Sequence, residues 1–285
     1  MVIGIVENLR SSYDFTNKAL TSFVDWLILI FISLMVLTGG LLVASGIFGL
    51  IMSAMSSYYG LPMMSADSMM MADPMMMADP ISSSMTSAFA MTGIFSVGFI
   101  GLGLILALVF GILMTGVQIR VYRGGELTLG SYGGMFLDGL LASIICLVYF
   151  IPYIIISVLL NFGPMMNLAY VIAAMIIEIV VMIITMLFYL MAVVRFAKAQ
   201  KFGAAFQIKE ILNIIGTIGW LTYLANIIVV GIVIMVIYFI LILIPLVGWG
   251  LLVAIMPFLM IWEAKFFSQL YESATTSQEV EPASP

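Results

Sequence analysis

Three tandem hexapeptides concentrate the donor chemistry of this chain: Pro62-Met63-Met64-Ser65-Ala66-Asp67, Ser68-Met69-Met70-Met71-Ala72-Asp73 and Pro74-Met75-Met76-Met77-Ala78-Asp79. They hold eight of its 25 methionines. Thioethers are soft donors that select Cu(I), so Met63, Met64, Met69, Met70, Met71, Met75, Met76 and Met77 are candidate metal ligands. No histidine or cysteine stands among them to reinforce the site. Two plainer readings compete. One is an adaptable, polarizable surface that packs on a neighbouring subunit or dips into the membrane. The other is repeat slippage in a tolerant loop. Both outweigh the metal reading, so no metal site is assigned.

Glu178 is the other position where chemistry is conceivable, because it lies deep in an apolar run. An acidic residue at the centre of a membrane helix costs about 2.5–3.5 kcal/mol. It must be protonated, paired or facing a cavity. Counting about 1.5 Å per residue along a helix puts Glu178 near mid-membrane and Asn226 at a similar depth on the next span. We expect Glu178 to hydrogen-bond Asn226 or Tyr223 across two adjacent helices. Such a group acts either as a proton or cation relay or as a structural polar clamp. A lone acid makes a poor pathway, which favours the clamp.

Elsewhere the residue types exclude more than they offer. Histidine is absent, which removes the commonest general base and every Ser-His-Asp or Cys-His arrangement. Glu126, Asp138, Glu210 and Glu263 stand near basic residues, where ion pairs account for them. Gly124-Gly125 and the stretch 130–134 lack the Walker spacing and its lysine. The single cysteine, Cys146, lies in an apolar run and cannot form an intrachain disulfide. The net charge is −5, and no basic patch is interleaved with aromatics. Nucleic-acid binding has no support. No catalytic or cofactor-binding residue is assigned.

The elements that carry these residues follow from composition. The chain is 64% hydrophobic and 8% charged, against about 45–50% and 25% in soluble domains. Lipid is the solvent that accommodates this surface. Inside lipid the backbone must be satisfied by helices or a closed barrel, and the long, non-alternating apolar runs select helices. The expected fold is all-α, an integral membrane bundle of six transmembrane helices with cytoplasmic amphipathic segments. The spans fall at about 26–55, 88–118, 138–161, 167–194, 217–243 and 250–267. Residues 1–25 form an amphipathic segment and 57–86 an extracytoplasmic Met/Asp/Pro loop. A polar tail, 272–285, is expected to be disordered. Val43-Ala44-Ser45 is faintly like a signal cleavage site, but the apolar run continues past it, which favours an uncleaved span.

Six spans place all nine basic residues on one face. The positive-inside rule then puts both termini in the cytoplasm. Asn161-Phe162-Gly163-Pro164 and the stretch 245–250 read as tight turns. Ala205, Ile208, Ile211, Leu212 and Ile215 share one helical face. That stretch is either a helix lying in the headgroup plane or the start of the fifth span. Arg120-Val121-Tyr122-Arg123 and Arg195-Phe196-Ala197-Lys198 share the pattern R-x-x-[RK], suggesting two similar hairpin units or simply two snorkelling clusters. Gly103, Ala107 and Gly111 form a small-residue ladder, as do Gly40 with Ala44 and Ser45 with Gly49. These ladders predict close packing of the first two spans or a subunit contact.

Several segments together resemble a known family. They are Arg120-Val121-Tyr122-Arg123-Gly124-Gly125, Met135-Phe136-Leu137-Asp138-Gly139-Leu140 and Val148-Tyr149-Phe150-Ile151-Pro152. Phe202-Gly203-Ala204-Ala205-Phe206, Ile244-Pro245-Leu246-Val247-Gly248 and Leu270-Tyr271 follow. Their order and spacing resemble the archaeal membrane-protein family known as domain of unknown function 4013, over roughly residues 15–272. Leu127-Thr128-Leu129-Gly130 stands where that family has a Leu-Pro pair. The resemblance implies a polytopic protein of an archaeal cell membrane and transfers no catalytic residue.

The expectation is a non-enzymatic, multi-pass membrane protein that forms a homo-oligomer or joins a membrane complex and organises lipid or partner proteins. Its rival is a transporter or channel with Glu178 in the pathway, kept open by Asn226 and by Pro152 and Pro257 within spans. A third alternative is Cu(I) binding through the methionine loop, and a membrane enzyme ranks last.

Overall fold

The computed structural model describes residues 3–60, 80–124, 129–163, 167–245 and 247–280. Among these residues the secondary structure is entirely helical. In chain order the helices are α1 (Ile5–Ala19), α2 (Phe23–Gly60), α3 (Pro80–Arg123), α4 (Tyr132–Asn161), α5 (Leu168–Ala199), a 3₁₀ turn (Phe202–Phe206), α6 (Ile208–Ile218), α7 (Trp220–Ile242) and α8 (Val247–Val280). Six of them, α2, α3, α4, α5, α7 and α8, are long and apolar enough to cross a membrane. The all-helical, six-span architecture expected from composition is the one observed.

The chain forms two compact units. One consists of Ile32–Gly111, the larger parts of α2 and α3. Backbone approach holds it together. A Cβ on Gly39 would lie 2.7 Å from the Gly103 carbonyl oxygen and 2.6 Å from the Ala107 nitrogen. One on Gly46 would lie 2.6 Å from the Ser96 carbonyl oxygen. Gly49 faces the Ser96 side chain. The expected packing of these two spans is therefore present, in a corrected register. Gly103 and Ala107 make the contact, but Gly40 and Gly111 have open space beside them. Gly39, next to Gly40, is the residue at the crossing, because one helical position turns a side chain by about 100°.

The other unit consists of Met1–Phe31 with Ile112–Pro285. Its core lies at one end of the helices. Val117, Ile119 and Val121 of α3, Met135, Ala142 and Ile145 of α4, and the stretch 190–197 of α5 meet there with α6 and with Ile261, Phe266, Phe267 and Leu270 of α8. This is also where the basic residues of α3 and α5 stand. Toward the other end the helices present exposed apolar side chains, among them Ile155 and Leu159 of α4, Ile176 and Ile183 of α5, and Met235 and Phe239 of α7.

Three boundaries correct the sequence expectations. The described parts of the 57–86 loop are helical, since α2 runs to Gly60 and α3 starts at Pro80. Proline is tolerated there because the first turn of a helix needs no donor. The tail expected to be disordered from residue 272 continues α8 through Val280. Its first turns are anchored, with Glu272 paired to Lys198 and Ala274 fully buried. Ser273 and Thr275 return their hydroxyls to carbonyls of the preceding turn. The stretch 205–215 is neither the start of a span nor one continuous helix. Gly219, at φ +87°, separates α6 from α7. The buried face of α6 is Ile211, Ile214, Ile215 and Ile218, while Ile208 and Leu212 are exposed. Ala205, Ile211 and Ile215 of the expected stripe are thus buried, and Ile214 and Ile218 take the places expected for Ile208 and Leu212.

The N-terminal segment is helical and amphipathic, with Glu7, Arg10, Asp14 and Lys18 exposed and Leu9, Phe15 and Ala19 packed on the core. Its covered side also carries uncharged polar residues. Asn8, Ser12 and Thr16, four residues apart and on one face, are completely buried. Val6 and Tyr13 are exposed. α4 ends at Asn161, where the sequence places a helix stop, and Asn167 caps α5 by accepting from the Tyr170 backbone N–H at 3.2 Å. Pro152 and Pro257 lie inside unbroken helices.

Candidate functional sites at the basic end and in the α4–α5 hairpin

The paired R-x-x-[RK] sequences are the most organised polar features of the described residues. They are built the same way: the first cation closes the connection that follows its helix, and the second forms an ion pair farther on. Arg120 donates to the Ser131 carbonyl at 2.8 Å and to the Ser131 hydroxyl. Arg123 pairs with Asp138 of α4 through two guanidinium nitrogens, at 2.8 and 2.6 Å. Arg195 donates to the Ala204 carbonyl at 3.2 Å and to Gln207, and its guanidinium lies 3.9 Å from Glu210. Lys198 pairs with Glu272 of α8. The two helix ends meet over α8. A Cβ on Gly124 would touch both Lys198 and Glu272, and the Ser268 hydroxyl donates to the Tyr122 carbonyl at 3.0 Å.

These clusters are therefore more than snorkelling side chains. Planar guanidinium forks supply a second donor to carbonyls that each already accept one backbone N–H. What they do chemically is brace the start of α4, the turn between α5 and α6, and α8. Tyr149 adds to this by donating to the Ala205 carbonyl at 2.6 Å, with its ring stacked on Phe206 at 6.0 Å.

The polar face of α1 docks on the last third of α8. Asn8 donates to the Phe266 carbonyl at 3.1 Å, Ser12 to Gln269 at 3.0 Å, and Gln269 to Ser11 at 2.8 Å. Trp262 points its indole N–H at the Leu9 carbonyl, 3.4 Å away. Asn8, Ser12 and Thr16 were not singled out from the sequence. The available signal was Gln269, a lone amide beside apolar Phe266, Phe267 and Leu270, which needs polar partners.

Glu178 is not bonded to either expected residue. It accepts a hydrogen bond from Ser157 of α4 at 3.1 Å. Tyr223 donates instead to the Leu187 carbonyl at 2.8 Å, and Asn226 to the Thr222 carbonyl at 2.7 Å within its own helix. Depth along a helix says nothing about which neighbour lies beside it. α4 packs on α5, so Ser157 is the nearer partner. Glu178 is half-buried and borders a cavity of about 110 Å³ with Leu160, Asn161, Tyr170, Val171 and Met175. Asn226 is fully buried, and its Oδ1 has no hydrogen-bond partner.

Met63, Met64, Met69, Met70, Met71, Met75, Met76 and Met77 lie outside the described residues. Among the described residues, no group of three or more His, Cys, Asp or Glu is placed to hold a metal ion.

Six long apolar helices with exposed apolar faces define a multi-pass helical membrane protein. The family model described as protein of unknown function (DUF4013) matches residues 99–246, just over half of the chain, and the chain belongs to that family. The match spans α3 from Phe99 to the turn before α8, a shorter range than the resemblance read from the motifs. No curated protein and no solved structure matches the chain.

Proposed function

We propose that this protein is a non-enzymatic, oligomeric organiser of the membrane, with both termini and its basic end in the cytoplasm of an archaeal cell. One observation carries the reading: the packed core is confined to the basic end, while the other ends of α4, α5 and α7 carry exposed apolar faces. Helices in lipid associate by packing complementarity, without a hydrophobic drive. Contacts with further copies supply packing along the halves that the single chain leaves unpaired. The one-sided distribution of Lys and Arg supports the orientation.

Native mass spectrometry of the full chain in mild detergent tests this. An oligomer that retains lipid is the expected result. A clean, lipid-free monomer overturns it.

A second reading, transport with Glu178 in the pathway, draws on the carboxylate bordering its own cavity. Ser157 engages that carboxylate, which favours the structural clamp. Glu178→Gln separates the two. Loss of an ion flux with assembly and thermal stability unchanged supports transport. Cu(I) binding by the methionine repeats is a third, tested by titrating the full chain. Affinity no tighter than micromolar sinks it.

A further inference from the structure

Between α1 and α8 runs an open groove of about 470 Å³. Five charged side chains line it: Glu7, Arg10, Asp14 and Lys18 from α1, and Lys265 from α8. Their helical spacing would allow i, i+3 and i, i+4 pairs. Yet the ion pairs of the described residues are Arg123–Asp138, Arg195–Glu210 and Lys198–Glu272. None of the five groove charges is matched to another. Lys265 instead lies over the Phe15 ring, 4.5 Å from its centroid.

The groove's depth identifies what can reach it. Lys265 stands 18 residues beyond Val247, where α8 begins. At about 1.5 Å per residue this is about 27 Å along the helix, close to the roughly 30 Å hydrocarbon thickness of a bilayer. Trp262, one helical turn before Lys265, marks nearly the same level, where amphipathic rings sit at the headgroups. Val6 and Tyr13 leave an exposed apolar flank on α1 beside Arg10. Unmatched charges next to exposed apolar side chains suit the boundary between acyl chains and headgroups.

We propose that this groove binds the headgroup of a phospholipid, with the phosphate held by Arg10, Lys18 and Lys265. Glu7 and Asp14 face the remainder of the headgroup, where they receive an ammonium group. The acyl chains leave along the Val6 and Tyr13 flank. The docking of α1 on α8 through Asn8, Ser12 and Gln269 sets the width of the groove.

The test uses delipidated full-length protein in mild detergent, titrated with phosphatidylglycerol, phosphatidylethanolamine, diacylglycerol of the same chains, and glycerol phosphate. Both phospholipids bind and remain attached in native mass spectrometry, while the headgroup-free lipid does not. Glycerol phosphate binding as tightly as the phospholipids would move the site to a soluble anion and overturn the proposal. The variant Arg10→Gln/Lys18→Gln/Lys265→Gln weakens phosphatidylglycerol binding by about fivefold per cation removed. The control Lys201→Gln/Lys209→Gln, outside the groove, leaves it unchanged. Equal binding by the triple variant and the native chain contradicts the assignment. Should the triple variant not fold, Glu7→Gln/Asp14→Asn decides, since both side chains are exposed and bury no core contact. It tightens phosphatidylglycerol and loosens phosphatidylethanolamine; no change in either refutes the site.

Discussion

Arg123 at the end of α3 grips Asp138 in the second turn of α4 with both guanidinium nitrogens, at 2.8 and 2.6 Å. Both side chains are mostly covered, at 27% and 18% exposure. The pair closes the glycine-rich connection in which residues 125–128 lie outside the described structure. Bidentate geometry and partial burial make it worth more than a surface ion pair.

Removing one partner should therefore hurt more than removing both. Asp138→Ala leaves a covered guanidinium without its counter-charge, and a stability loss of about 1–3 kcal/mol is expected. The double variant Arg123→Met/Asp138→Leu should recover part of that loss. Thermal unfolding of the purified protein in one detergent checks both. Equal losses for the single and double variants would mean that the unpaired guanidinium carries no penalty of its own.

The α2–α3 contact predicts a sharp contrast between neighbouring glycines. Gly39→Leu forces a side chain into the backbone around Gly103 and Ala107. It should cost about 1–3 kcal/mol through overpacking. Gly40→Leu and Gly111→Leu meet open space and should leave the melting temperature within the error of the native value. Reversed sensitivity of Gly39 and Gly40 would restore the register read from sequence.

Gly219 holds φ +87° at the elbow between α6 and α7. A Cβ finds room there, since the nearest atom is the Thr222 hydroxyl oxygen at 3.5 Å. The cost of Gly219→Ala is thus conformational, about 1–2 kcal/mol for a left-handed backbone. Gly216→Ala, in the regular helix just before, should be neutral or slightly stabilising. The difference between their unfolding temperatures is the measurement.

Glu178→Gln keeps an oxygen that accepts from Ser157. It is expected to change stability by less than about 1 kcal/mol, in line with interhelical hydrogen bonds in membranes. Glu178→Leu with Ser157→Ala should be tolerated equally well, because no polar group is then left unpaired. A marked loss in the double variant would reveal a partner beyond Ser157.

These contrasts also show how far a sequence of this kind can be read. Span number was legible because the solvent dictates it: a long apolar run in lipid has no stable form except a helix. The end of α4 at Asn161 was legible because Gly and Pro in the sequence just after it disfavour a continuing helix. Which way α1 faces was not. Its periodicity is clear, but the buried side is decided by α8, whose Phe266 carbonyl meets Asn8 from 258 residues away in sequence. The partner of Glu178 was hidden for the same reason. Rise per residue fixes depth, whereas the neighbour depends on the azimuth of α5 against α4. The R-x-x-[RK] pair was visible as a pattern, and only the positions of Ser131, Gln207 and Glu272 reveal what it holds.

Six crossings with a single basic end are tested most directly by single cysteines in a Cys146→Ser background, labelled with a membrane-impermeant maleimide in oriented vesicles. Cysteines at Ser11, Ser131, Gln200 and Thr276 are expected to react from one side, the cytoplasmic one. Cysteines at Asn167 and Val247 should react only from the other. Labelling of Gln200 and Asn167 from the same face, or of Ser11 and Thr276 from opposite faces, would contradict that topology.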